Sequence, residues 1–122
     1  MVRKVVTAHP ETNLTTIAKL MRRNRIGSVI ITEGKKIAGI LTESDFIRLV
    51  ARGYDLKNAL AEDYMIKRVI TCDPSVTVID ALIIMRTERI RHLPVVKNRK
   101  LVGVVSVRDL IAATQFTSLY LI

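Results

Sequence analysis

Two short strings in the chain carry residue types that can do chemistry: "GILTESD", Gly39 to Asp45, and "GVVSVRD", Gly103 to Asp109. Each places a glycine, two apolar residues, a hydroxyl residue and, three positions later, an aspartate. The plainest use of Thr42 with Asp45, or Ser106 with Asp109, is a capping box that satisfies free N–H groups at a helix start. That explains the hydroxyl and the acid. It does not explain Gly39 and Gly103, because a strand interior gains more from a side chain that packs. A second use accounts for all three. The glycine lets another group approach the backbone, the helix start offers N–H groups to a phosphate, and the aspartate accepts hydrogen bonds from a ribose diol.

The two strings belong to a longer repeat. Residues 1–47 lie on residues 65–111 at an offset of 64 without a gap, matching Thr7 to Thr71, Pro10 to Pro74, Met21 to Met85, Arg22 to Arg86, Arg25 to Arg89 and Asp45 to Asp109. Duplication is the economical explanation. Within each unit "KVVTAHP" and "RVITCDP" read as β-rich starts stopped by Pro10 and Pro74. Helices follow, capped by Asn13 and Thr77, the second supported by Asp80. Their core faces are expected to be Leu14, Ile17, Ala18 and Met21, and Val78, Ala81, Leu82 and Met85. Hairpins turning at "EGK" and "NR" lead to the motifs, and each motif opens a second helix. The fold class is α+β, two β-α-β-β-α units over residues 1–52 and 65–122, joined by a connector, residues 53–64, with helical content of its own.

Composition narrows the function. With 122 residues, 49% of them apolar, the chain can bury a real core, although half of it alone would be marginal. No apolar run approaches the roughly 20 residues of a membrane-spanning helix, and the start lacks a signal-peptide pattern. The chain reads as cytoplasmic. One cysteine, Cys72, forms no internal disulfide, and with His9 and His92 it offers neither metal-ligand spacing nor a nucleophile signature. Neither a metal nor catalysis is expected. Twenty Lys and Arg against 11 Asp and Glu leave a formal charge of +9, which favours anionic partners. Nucleic acid is the alternative partner class, weakened by the presence of only five aromatic residues and of no known binding motif.

The repeated strings, with "MIKRVITCDPSVTVIDALIIMRTERIRHLPVV" and "KLVGVVSVRDL" the most telling, resemble the tandem cystathionine-β-synthase-type domain pair, or Bateman module, over residues 1–111. The first unit resembles it less fully, with "NRIGSVII" in place of the usual Pro-containing strand. The resemblance implies a regulatory module whose units pack through their sheets about a pseudo-twofold axis. Its two clefts would take AMP, ADP, ATP or S-adenosylmethionine, with no obligatory cofactor. It implies that Asp109 and Asp45 hold ribose, and Ser106 and Thr42 phosphate. Thr71, Asp73 and Pro74, with Thr7, His9 and Pro10, would stand near the base. Arg91, His92, Leu93 and Pro94, with Gly27, Ser28, Val29 and Ile30, would line the other wall. Arg108, Arg91 and His92 give the second motif more basic help, so the tighter site is expected there. A homodimer and an unidentified effector protein complete the expectation, with the apolar end "AATQFTSLYLI" as a packing surface.

Overall fold

The computed structural model describes residues 5–118, with side chains up to Ala112. By its internal contacts the chain divides into two units, Val6–Val69 and the residues from Ile70 onward.

In the first unit β1 (Thr7–Ala8) is followed by α1 (Leu14–Asn24), β2 (Ser28–Glu33), β3 (Lys36–Thr42), α2 (Glu43–Ala51) and α3 (Ala61–Tyr64). Asn13 caps α1 as expected, its Oδ1 accepting from the Thr16 N–H at 2.8 Å. Helical spacing then turns Leu14, Ile17 and Met21 inward, where all three are buried. They meet Val29, Ile31, Leu41, Phe46 and Leu49 from the hairpin and α2. Each fully buried aliphatic side chain of this kind stabilises the fold by about 1.5–3 kcal/mol. The helix ends where Arg25 takes a left-handed φ of 53° and its N–H turns back to the Arg22 and Met21 carbonyls. The hairpin reverses at Gly34, whose φ is 63°.

The second unit repeats the plan with α4 (Val78–Glu88), β4 (His92–Lys97), β5 (Lys100–Ser106) and α5 (Val107–Ser118). Thr77 Oγ1 accepts from the Asp80 N–H at 3.1 Å. The hairpin turns through Asn98 and Arg99, both at positive φ, the geometry a two-residue turn between twisted strands requires. Ala81, Met85, Leu93, Val95, Val105 and Leu110 form its core.

Two expectations need correcting. The β-rich starts are shorter than their composition suggests: β1 is two residues, pairing parallel with β2 through Thr7–Ile30 and Ala8–Ile31. In the second unit the strand shrinks to a single parallel bridge between Cys72 and Val95. Proline ends both segments soon after pairing begins. Val78, placed on the core face of α4, is 36% exposed. Ala81 and Met85 set that helix's orientation, and Val78 falls beside the exposed Ile79.

Both hairpins carry the same irregularity. Their registers shift between Ile31 and Thr32 and between Val95 and Val96, directly after the pairs Ile31–Gly39 and Val95–Gly103. Each glycine of the repeated motif therefore sits beside a bulge, one of the positions where a strand tolerates glycine.

Candidate functional site

The second unit gathers five of the expected residues at one end of its hairpin. His92 pairs with Ser106 across β4 and β5, and the Arg91 carbonyl accepts from the Val107 N–H at 2.9 Å. Around that junction Ser106 and Asp109 form a reciprocal cap. The Ser106 N–H donates to Asp109 Oδ2 at 3.0 Å, and the Asp109 N–H donates to Ser106 Oγ at 3.1 Å. Asp109 is only half-buried, and its Oδ1 has no hydrogen-bond partner among the described residues. Arg108 and Arg91 are exposed beside it. One carboxylate oxygen, one hydroxyl, an imidazole and two guanidinium groups thus share one edge.

The corresponding end of the first unit has the same backbone and different chemistry. Ser28 pairs with Thr42, and the Gly27 carbonyl accepts from the Glu43 N–H at 3.0 Å. Here Asp45 is 2% exposed. Its Oδ2 accepts from the Thr42 N–H at 2.8 Å and from Thr42 Oγ1 at 3.1 Å, while Arg48 holds Oδ1 at 3.2 Å. Both oxygens are engaged. Arg48 is the residue that motif reading passed over, and its signal lay in the sequence, since the position 64 residues later is Ala112. An acid followed three residues on by arginine makes a helical ion pair, and only the first motif has one.

Asp73 and Pro74 are not brought to the junction of the second unit. Because Cys72 pairs parallel with Val95, the chain through Asp73 and Pro74 runs away from the His92 end of β4. Four residues of strand separate His92 from Val96, roughly 13 Å. Thr71, Asp73 and Pro74 are exposed, and Asp73 folds back locally, accepting from the Ser75 N–H at 2.9 Å and Ser75 Oγ at 2.7 Å. Those two bonds, the backbone one first, hold its carboxyl below the usual carboxylate range. Burial, followed by the charge of Asp73, pushes the Cys72 thiol up.

In the first unit the same loop is covered. Pro10 is buried, and its carbonyl accepts from the Glu62 N–H at 2.9 Å, next to a bond from the Ala61 N–H to Thr12 O at 2.8 Å. The start of α3 thus lies on the loop. His9 is exposed, but its Nδ1 accepts from the Glu11 N–H at 3.1 Å. Thr7 lies exposed in β1. Val29 and Leu93 are fully buried core residues, which leaves the backbone of these two segments as the part that could line a wall. The Pro94 side chain is buried as well, and its carbonyl accepts from the Cys72 N–H at 3.0 Å.

The group that approaches Gly39 is the chain itself. A Cβ there would lie 2.6 Å from Met65 Cγ and Sδ and 3.0 Å from the Ile66 carbonyl oxygen. Ile66 is held in place by paired bonds with Ile40 at 2.9 and 3.0 Å.

Comparison with known proteins agrees with this architecture. The CBS-domain profile matches residues 1–52 and 61–115. An uncharacterised 17.7 kDa protein of Acidianus ambivalens is 39% identical over 114 residues, covering 90% of this chain and 67% of the relative. One from Methanopyrus kandleri is 38% identical over 112 residues, covering 89% of this chain but only 57% of its own length. Among solved structures, a putative signal-transduction protein with CBS domains from Burkholderia ambifaria superposes with a TM-score of 0.89 at 31% identity, covering 95% of this chain and 86% of that one. A CBS domain protein of Pyrobaculum aerophilum, in complex with AMP, gives 0.81 at 32% identity over 89% and 85% of the two chains. A CBS domain pair in complex with methylthioadenosine and S-adenosyl-L-methionine also gives 0.81, at 27% identity over 91% and 92%. Two matched repeats, each with its hairpin, bulge and capped motif, make this chain a member of the CBS-domain family.

Proposed function

We propose that the chain is a regulatory module that binds an adenosine-containing ligand, with Asp109 as its principal ribose acceptor. The observation that carries this reading is the Oδ1 of Asp109, without a hydrogen-bond partner among the described residues, at the junction with Ser106, Arg91 and His92, set against an Asp45 whose two oxygens are both engaged. A ribose diol needs a charged acceptor with an oxygen to spare, and only the second motif has one. Solved relatives that hold AMP or S-adenosyl-L-methionine support the ligand class. Ser106 Oγ and the N–H groups opening α5 would face the phosphate, aided by Arg108. The module would act without catalysis. Ligand binding would favour one of its forms by differential affinity, and an effector protein or a second copy of the chain would read that form.

Calorimetric titration of nucleotide-free protein with AMP, ADP, ATP and S-adenosylmethionine, at about 150 mM salt to screen surface charge, tests the reading. Saturable binding near −8 kcal/mol, a micromolar Kd of about 1 μM, that is lost in Asp109→Ala and kept in Asp45→Ala supports it. Binding by none of the four ligands, or binding indifferent to Asp109, overturns it and leaves both motifs as helix caps.

A further inference from the structure

The end of α1 carries more positive charge than its helix can use. Lys19, Arg22, Arg23 and Arg25 line one cavity of about 700 Å³. All four are exposed, and among the described residues none has a side-chain ion pair or hydrogen bond. A helix C-terminus does favour cations, which accounts for Arg22 and Arg23 in the last turn. Lys19 stands a turn earlier, at the spacing where like charges repel both Arg22 and Arg23. Arg25 lies past the end, at a left-handed φ of 53° where glycine is the usual occupant.

The second unit is an internal control. Its positions at the same offset are Ile83, Arg86, Thr87 and Arg89, with Glu88 where the first unit has Asn24. That unit builds the same helix, the same left-handed turn and the same hairpin from two cations. The extra charge in the first unit is therefore not needed for folding. It is concentrated on a concave surface whose lining, among the described residues, holds neither a carboxylate nor an aromatic ring. These four side chains offer donors for phosphate oxygens and, among themselves, no ring on which a base could stack.

We infer that this cavity binds a short chain of phosphates, whether free oligophosphate or the tail of a nucleotide. Arginine suits neighbouring phosphate oxygens through its planar fork of donors, and Lys19 adds a mobile point charge. Asp109 is not among the described residues that line the cavity, and the inference stands whether or not that residue holds ribose.

The full chain should be titrated with inorganic tripolyphosphate, ATP, AMP and a short single-stranded oligonucleotide at about 150 mM salt. Two double variants of equal charge change serve as the comparison: Arg22→Gln with Arg23→Gln, and Arg86→Gln with Arg89→Gln. Saturable tripolyphosphate binding, one per chain, that falls at least tenfold in the first double variant and stays within about twofold in the second supports the site. It should survive Asp109→Ala, which separates it from the adenosine reading. In that background, ATP binding with AMP silent assigns the phosphates to a nucleotide tail, and tripolyphosphate binding without ATP assigns a free oligophosphate. Both outcomes support the site. Equal losses in the two double variants, unsaturable binding, or binding of the oligonucleotide alone overturn it, the last in favour of a nucleic-acid surface. All four side chains are exposed, and unchanged thermal unfolding would verify that the variants fold.

Discussion

The two repeats share one plan and differ in how their motifs are held, and the difference is concentrated in a handful of positions. In the first, Arg48 closes the motif's aspartate, α3 covers the Pro10 loop, and Met65 with Ile66 lies on Gly39. In the second, Ala112 leaves Asp109 half-open and Pro74 is exposed. The first motif's aspartate has both oxygens engaged, while the second keeps one oxygen without a hydrogen-bond partner among the described residues. A repeated string is thus not evidence of a repeated function. A carboxylate binds a ligand only with the oxygens its own fold has left over.

The contrast is most directly broken at the two aspartates. Asp109→Ala should weaken adenosine-ligand binding by at least about 100-fold, since two charge-assisted hydrogen bonds are lost at roughly 1.5–3 kcal/mol each. Asp45→Ala should change it less than about twofold. Comparable losses at both sites by calorimetry would show that Arg48 does not withhold Asp45.

Gly39→Ala should destabilise the first unit by about 1–3 kcal/mol through overpacking, as read by urea unfolding. Adding Met65→Ala should cost less than the sum of the single variants, because the clash and the truncated side chain coincide. Full additivity would contradict the close approach. Ala112→Arg transplants the first unit's ion pair into the second. By occupying Asp109 Oδ1 it should weaken ligand binding about tenfold, or 1.4 kcal/mol, and unchanged affinity would mean that an arginine three residues on is not what closes the motif.

Stability should invert the ranking of the two acids by a smaller margin. Asp45→Ala, which removes a buried cap serving both the Thr42 N–H and its hydroxyl, should cost about 2 kcal/mol, and Asp109→Ala about 1 kcal/mol. The smallest effect concerns pH. The Asp73 carboxyl is held below its ordinary 3.8 by the two bonds from Ser75, so its contribution to stability is present above that value and is lost as pH falls through the lower folded value. Asp73→Asn should flatten the acid limb of the stability curve slightly below about pH 4. In the same variant the Cys72 thiol, no longer beside a negative charge, should alkylate somewhat faster at about pH 8.

The sequence by itself determined whatever depends on near neighbours. The caps at Asn13 and Thr77, the turns at Gly34 and at Asn98–Arg99, and the reciprocal Ser106–Asp109 box are all written within a few residues, and the offset of 64 shows directly when the sequence is laid on itself. Backbone donors, left-handed turns and helical spacing are local physics. Even the Arg48–Asp45 pair was legible as an i, i+3 contact, once compared with Ala112. The tertiary structure alone decided the rest. Met65 lies on Gly39, α3 covers Pro10, Val29 and Leu93 turn into cores, and Pro74 stays exposed. Each of these depends on segments distant in sequence closing onto a hairpin, and neither periodicity nor a motif records which part of a chain will bury a given surface.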